Sequence, residues 1–108
     1  MRMTLPHHTT MKQAIKRIDD KLNEAIKMKF PAGITVVDPQ KDWSDNIMHF
    51  SFTVQRLFLS LDFSGIVIVY DQEVVGECEL PGIVTTFFSE DTIKAVVKKE
   101  FNKLFNIG

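Results

Sequence analysis

The run DNIMHFSFTVQRLFLSLDF, residues 45–63, constrains this chain more than any other stretch. Met48, Phe50, Phe52 and Val54 fall on one side of an extended chain, and Ile47, His49, Ser51, Thr53 and Gln55 on the other. Leu57, Leu59, Leu61 and Phe63 then continue an apolar face. A period of two kept over this length specifies half-buried antiparallel strands. Past Ser64-Gly65 the alternation stops, and Ile66-Val67-Ile68-Val69 is apolar on both faces. A phase break at glycine predicts a bulge or bend. The expected meander has about four strands, near 33–38, 46–54, 57–70 (bent at Gly65) and 73–80. Asp38-Pro39 is expected to turn the chain after the first, and Tyr70-Asp71-Gln72-Glu73 to form a hairpin between the last two.

Helices flank the meander. Met11, Ala14, Ile15, Ile18, Leu22, Ala25 and Ile26 recur at spacings of three and four, which is one helical stripe. Thr10 and Gln13 have capping-box spacing, and Pro31 with Gly33 is expected to stop the helix. Ile83, Val84, Phe87 and Phe88 suit one or two helical turns. Ser89 then caps a final helix with Glu90 and Asp91 in its first turn and a stripe of Ile93, Val96, Val97, Phe101, Leu104 and Phe105. The fold class is therefore α+β: an N-terminal helix, an antiparallel meander and a C-terminal helix, stacked as a two-layer α/β sandwich. Residues 1–108 form a single domain, with 1–8 a loosely ordered N-terminal extension. Phe50, Phe52, Leu59, Leu61, Ile18, Leu22, Val97 and Phe101 are expected to meet between the layers. Truncating Phe52 to Ala there would cost about 3–5 kcal/mol.

Composition closes off several classes. The single cysteine, Cys78, forbids an intramolecular disulfide and fits a reducing compartment. MRMTLPHHTT carries no apolar signal core, and no apolar run approaches the roughly 20 residues of a membrane span, so a cytoplasmic protein is expected. Charge is uneven: residues 10–30 carry +3, residues 38–91 carry −8 and residues 92–108 carry +3. Three arginines (Arg2, Arg17, Arg56) and an acidic sheet argue against nucleic acid, which needs a basic face with Arg or aromatic readers.

Candidate catalytic groups fare poorly. On the strand EVVGECEL, Glu73, Val75, Glu77 and Glu79 share the face opposite the core, where water solvates carboxylates and no cleft perturbs them. Cys78 faces inward between two acids and reads as a small buried hydrophobe, not a nucleophile. His7 and His8 suit capping or turn contacts near Thr9-Thr10, and His49 sits on the polar strand face. None has metal-ligand spacing. No phosphate-binding glycine loop or nucleophile elbow occurs. No catalytic residue, metal or cofactor is assigned.

HHTTMKQAIKRID near the start, DWSDNIMHFSF, DFSGIVIVYDQEVVGECELPG and the amphipathic C-terminal helix together resemble the polyhydroxyalkanoic acid system family, the polyhydroxyalkanoate granule regulatory proteins. The likeness covers roughly residues 7–106. It departs after Trp43, where family members carry a glycine-containing turn and this chain has Ser44-Asp45-Asn46. The resemblance implies a bacterial cytoplasmic protein tied to storage polyester, and it brings no catalytic residues. The expectation is a non-enzymatic accessory protein acting at a granule surface or on a partner protein. The alternative is a small binder of a hydrophobic ligand, because a bent meander gripping a C-terminal helix also makes a cavity in helix-grip domains. Ile47 and the outward members of Ile66–Val69 lack a cover, so a homodimer is expected. Lysine at Val67 or Val69 would probe its contact.

Overall fold

A computed structural model describes residues 1–27, 33–87 and 89–105. The chain runs β1 (Arg2–Pro6), α1 (Met11–Lys27), β2 (Thr35–Ser44), β3 (Ile47–Arg56), β4 (Leu59–Val69), β5 (Glu73–Glu79), α2 (Gly82–Phe87) and α3 (Glu90–Leu104). It is α+β: one antiparallel five-stranded sheet in the order β1-β5-β4-β3-β2, plus helices.

The register of β4 with β3 and β5 runs through Gly65 without a shift, so the bulge expected there does not form, and three further expectations change. Residues 2–6 are an edge strand, not a loose extension, so the first helix is the second element and the sheet has five strands. Arg2 pairs with Glu77 and Pro6 with Glu73. Pro6 sits at the end of an edge strand, where its missing N–H does no harm. Second, Asp38-Pro39 does not turn the chain. β2 runs through it with a register shift between Val37 and Gln40, and Asp38 takes φ 50°. A bulge absorbs the proline on an edge strand and keeps Lys41 and Trp43 facing the helices. Third, residues 57–58 are the β3–β4 turn, between the paired Arg56 and Leu59. Leu57 there takes φ 55°, a left-handed conformation a leucine adopts at a cost of roughly 1 kcal/mol.

The Tyr70–Glu73 hairpin forms as expected, with the Tyr70 N–H donating to the Glu73 carbonyl at 2.8 Å. Ser89 caps α3 by accepting from the Thr92 N–H. Thr10 caps α1 by accepting from the Gln13 N–H at 3.1 Å, but the Gln13 side chain returns to the Thr9 hydroxyl. The Pro31 stop and Phe88 lie outside the described residues.

Paired residues across the sheet share a face. Trp43, Met48, Val67, Val69 and Val74 face the helices; Ile47, Ile66, Ile68 and Val75 face away. The core is small: Ala14 and Ile18 of α1, Val69, Val74 and Phe105, with Met11, Ile15, Leu22, Trp43, Val67, Phe101 and Leu104 packed around it. Thus Ile18, Leu22 and Phe101 take their expected places. Phe50, Phe52 and Leu61 are only half-buried, while Leu59 and Val97 are exposed. The cause is length. Strands of ten and eleven residues run about 34–37 Å, most of the 42 Å long dimension of the molecule, and the packed core occupies one end of them.

Candidate functional site

At the core end the packing is sealed by a histidine. His7 is 1% exposed. Its Nδ1 accepts from the Thr9 N–H at 3.1 Å, and its Nε2 lies 2.8 Å from the Tyr70 carbonyl. Those partners place the ring proton on Nε2, which donates to Tyr70. Its own backbone N–H reaches the Gln72 carbonyl. The ring packs near Phe105, over which the Arg17 guanidinium sits at 5.7 Å. His7 therefore ties the β1–α1 junction to the β4–β5 hairpin, a wider role than the local capping expected of it.

One level of the sheet is different. The helix-facing row Lys41–Phe50–Gly65–Cys78 has no side chain at its centre. A Cβ at Gly65 would lie 2.1 Å from the Glu77 carbonyl oxygen and 2.7 Å from the Phe50 ring. Only glycine lets β5 and Phe50 come this close. A cavity of about 940 Å³ follows this level through residues 40–42, 49–51, 64–66 and 77–79 to Met1 and Arg2, and reaches α3 at Glu90 and Lys94. Its charges are mixed. Arg2 pairs with Glu77 at 3.3 Å, and Lys41 pairs with Asp19 of α1. The Lys41 hydrogen bond, joined by one from the Trp43 indole at 2.9 Å, holds the Asp19 carboxyl below the usual aspartate range.

Cys78, Glu77, Glu79 and His49 thus come to one cavity, yet they do not form a catalytic set. Strand alternation puts Cys78 on the helix face and His49, Glu77 and Glu79 on the other, with the backbone between them. Cys78 is half-buried, not fully buried as expected. Burial, with the Glu79 carboxylate adding to it, pushes its thiol up, away from the thiolate a nucleophile needs. Glu73, Glu77 and Glu79 are exposed on the outer face, as their alternation indicated. His7 lies far along the strands from this level, and His8 is an exposed residue at φ 53°. Among the described residues no group of three His, Cys, Asp or Glu is placed to hold a metal ion.

Compared with known proteins, the chain matches no family model, no curated protein and no solved structure. Its surface must speak for it.

The most unusual surface is the β3–β4 turn. Leu57 is 90% exposed and Phe58 is fully exposed, with Leu59 44% exposed beside them. Two-residue hairpin turns favour Gly, Asn or Asp. Here large apolar side chains stand in water, one of them on a left-handed backbone. Behind the tip, Phe50, Phe52 and Phe63 stack along the arm, Phe52 on Phe63 at 5.1 Å. Sequence reading missed this tip because Leu57 fits the apolar alternation of Leu59, Leu61 and Phe63 and hides the turn. The signal was the pairing arithmetic: two strands that long need a turn near their middle.

Proposed function

We propose that this chain is a non-enzymatic accessory protein that works by contact, and that the apolar β3–β4 tip is its contacting element. The observation that carries this reading is the full exposure of Leu57 and Phe58 at the end of a long, stiff arm. A turn that breaks the local preference for polar, flexible residues costs stability, and such departures concentrate where function demands them. The arm resembles a wedge that can enter an apolar layer without deforming the domain behind it. The resemblance to the polyhydroxyalkanoic acid system family makes a storage-polyester granule in a bacterial cytoplasm the first surface to test, and an apolar patch on a partner protein the second. Two layers, helices over sheet, are enough scaffold for this, and no helix among the described residues is long and apolar enough to cross a membrane.

Co-sedimentation with polyester granules is the test. The Leu57→Ser, Phe58→Ser variant should lose at least tenfold in granule association with an unchanged melting temperature. Undiminished association would remove the tip from the mechanism.

A second reading rests on the cavity at Gly65. Phe50 on its floor and Lys94 at its margin suit a small amphipathic ligand. Resonances of Gly65, Cys78 and Lys94 that move on titration with a medium-chain fatty acid support it, and unmoved resonances dismiss it.

A further inference from the structure

The outer face of the sheet carries a pattern that fits itself. Side chains on that face form cross-strand rows, read here in sheet order from β1 to β2. One row is Thr4, Val75, Ile68, Ile47 and Ser44; the next is Arg2, Glu77, Ile66, His49 and Asp42. Ile66 and Ile68 lie on β4, the middle strand of five. Val67 and Val69, where lysine is expected to probe a homodimer contact, instead face the helices and belong to or pack on the core.

We propose that a second copy of this chain covers the outer face, sheet against sheet, about a two-fold axis running along β4. Rotation about that axis lays β4 on β4, β5 on the second copy's β3, and β1 on its β2. In the first row Ile68 meets Ile68, Ile47 lies over Val75, which is already buried within one chain, and Thr4 meets Ser44: apolar on apolar and hydroxyl on hydroxyl. In the next row Ile66 meets Ile66, Glu77 meets His49, and Arg2 meets Asp42, so each charged end finds an opposite or neutral partner. Arg2 keeps its contact with Glu77 and gains the aspartate.

The other face-to-face symmetry fails on the same residues. An axis across the strands lays each strand on itself. It sets Arg2 on Arg2, Glu77 on Glu77 and Asp42 on Asp42, or else presses Glu77 onto Val75. Like charges or unpaired buried carboxylates then line the contact.

Size is adequate. Five strands about 4.8 Å apart and three rows about 6.8 Å apart, the third being Glu79, Ser64, Ser51 and Gln40, give a flat footprint on the order of 400–500 Å², with Asp62, which this axis also lays on itself, one row outside it. Side-chain relief raises the buried area toward the roughly 800 Å² per partner of a standard interface. Packed sheets cross at about 30°, which displaces the edge pairs by about 5 Å, within the reach of an arginine side chain.

Light scattering and sedimentation across a micromolar dilution series test this. The expected mass is twice 12.4 kDa. Ile68→Lys should give a folded monomer, with the wild-type circular dichroism spectrum. Asp42→Arg should weaken the dimer at least tenfold, and adding Arg2→Asp to that variant should restore it. This charge exchange decides the matter even where Ile68→Lys fails to fold. A mass of 12.4 kDa at every concentration overturns the proposal. So does a dimer that ignores Asp42→Arg, or a double exchange that rescues nothing.

Discussion

The two ends of this sheet are built on different terms. At the β4–β5 hairpin end, Val69, Val74, Ala14 and Phe105 exclude water, and His7 spends both ring nitrogens on backbone partners. At the β3–β4 end, residues 55–60 are all exposed, and Phe50, Phe52 and Phe63 stack without a helix fully over them. The same kind of residue therefore carries different weight at the two ends. Aromatic count does not locate a core; what lies above the aromatic does.

Gly65 joins the two ends, so changing it should have the largest effect. Gly65→Val places a branched side chain against the Glu77 carbonyl, which cannot move without breaking the β4–β5 ladder. A loss of about 3 kcal/mol or more in urea unfolding is expected. A loss under 1 kcal/mol would mean that the strands are farther apart than described.

The next pair of substitutions measures the contrast itself. His7→Ala strands the Tyr70 carbonyl and the Thr9 N–H in a dry site and should cost about 2–3 kcal/mol. Phe52→Ala should cost only about 1–2 kcal/mol, below the 3–5 expected of a core phenylalanine, because its site is half-open and can collapse. Equal costs in chemical denaturation would erase the distinction between the ends.

Asp19→Asn probes the link from α1 to β2 and should cost about 1 kcal/mol at neutral pH. The folded carboxyl titrates below its unfolded counterpart, so its contribution is complete above the ordinary aspartate range and disappears as pH falls through the lowered value. The stability curves of wild type and variant should accordingly converge as the pH falls below the ordinary aspartate range. Curves that stay parallel to low pH would assign the effect to packing.

Smallest, and opposite in sign, is Leu57→Gly. Relief of the left-handed leucine should offset the added flexibility of the unfolded chain and leave stability unchanged or higher by up to about 1 kcal/mol. A clear loss would show that Leu57 packs on something.

The sequence made the period-two strands, the helical stripes, the Ser89 cap and the outward acids legible, because each depends on neighbours a few residues away. β1 was not legible. MRMTLP has little strand character of its own and is held by Glu73–Glu77, far along the chain. The Leu57–Phe58 turn was hidden by residues that contradict turn chemistry, and the bulge at Asp38 by residues that obey it. The cavity at Gly65 depends on a glycine, a phenylalanine and a cysteine from three strands falling into one row, which only the pairing register reveals.

The closure of β1 onto β5 also sets an order of assembly. His7 finds Tyr70 across 63 residues of sequence, whereas β2 through β5 are joined by turns of two to three residues. Loop closure over such a span is entropically unfavourable until the meander exists to receive it. On a ribosome, the first strand and helix emerge early and wait for β5, the strand that β1 must pair with. Until β1 docks, the β5 edge, with Val74 and Val75, stands unpaired. Amides of β1 should consequently gain protection last in pulse-labelled hydrogen exchange, after those of β3 and β4.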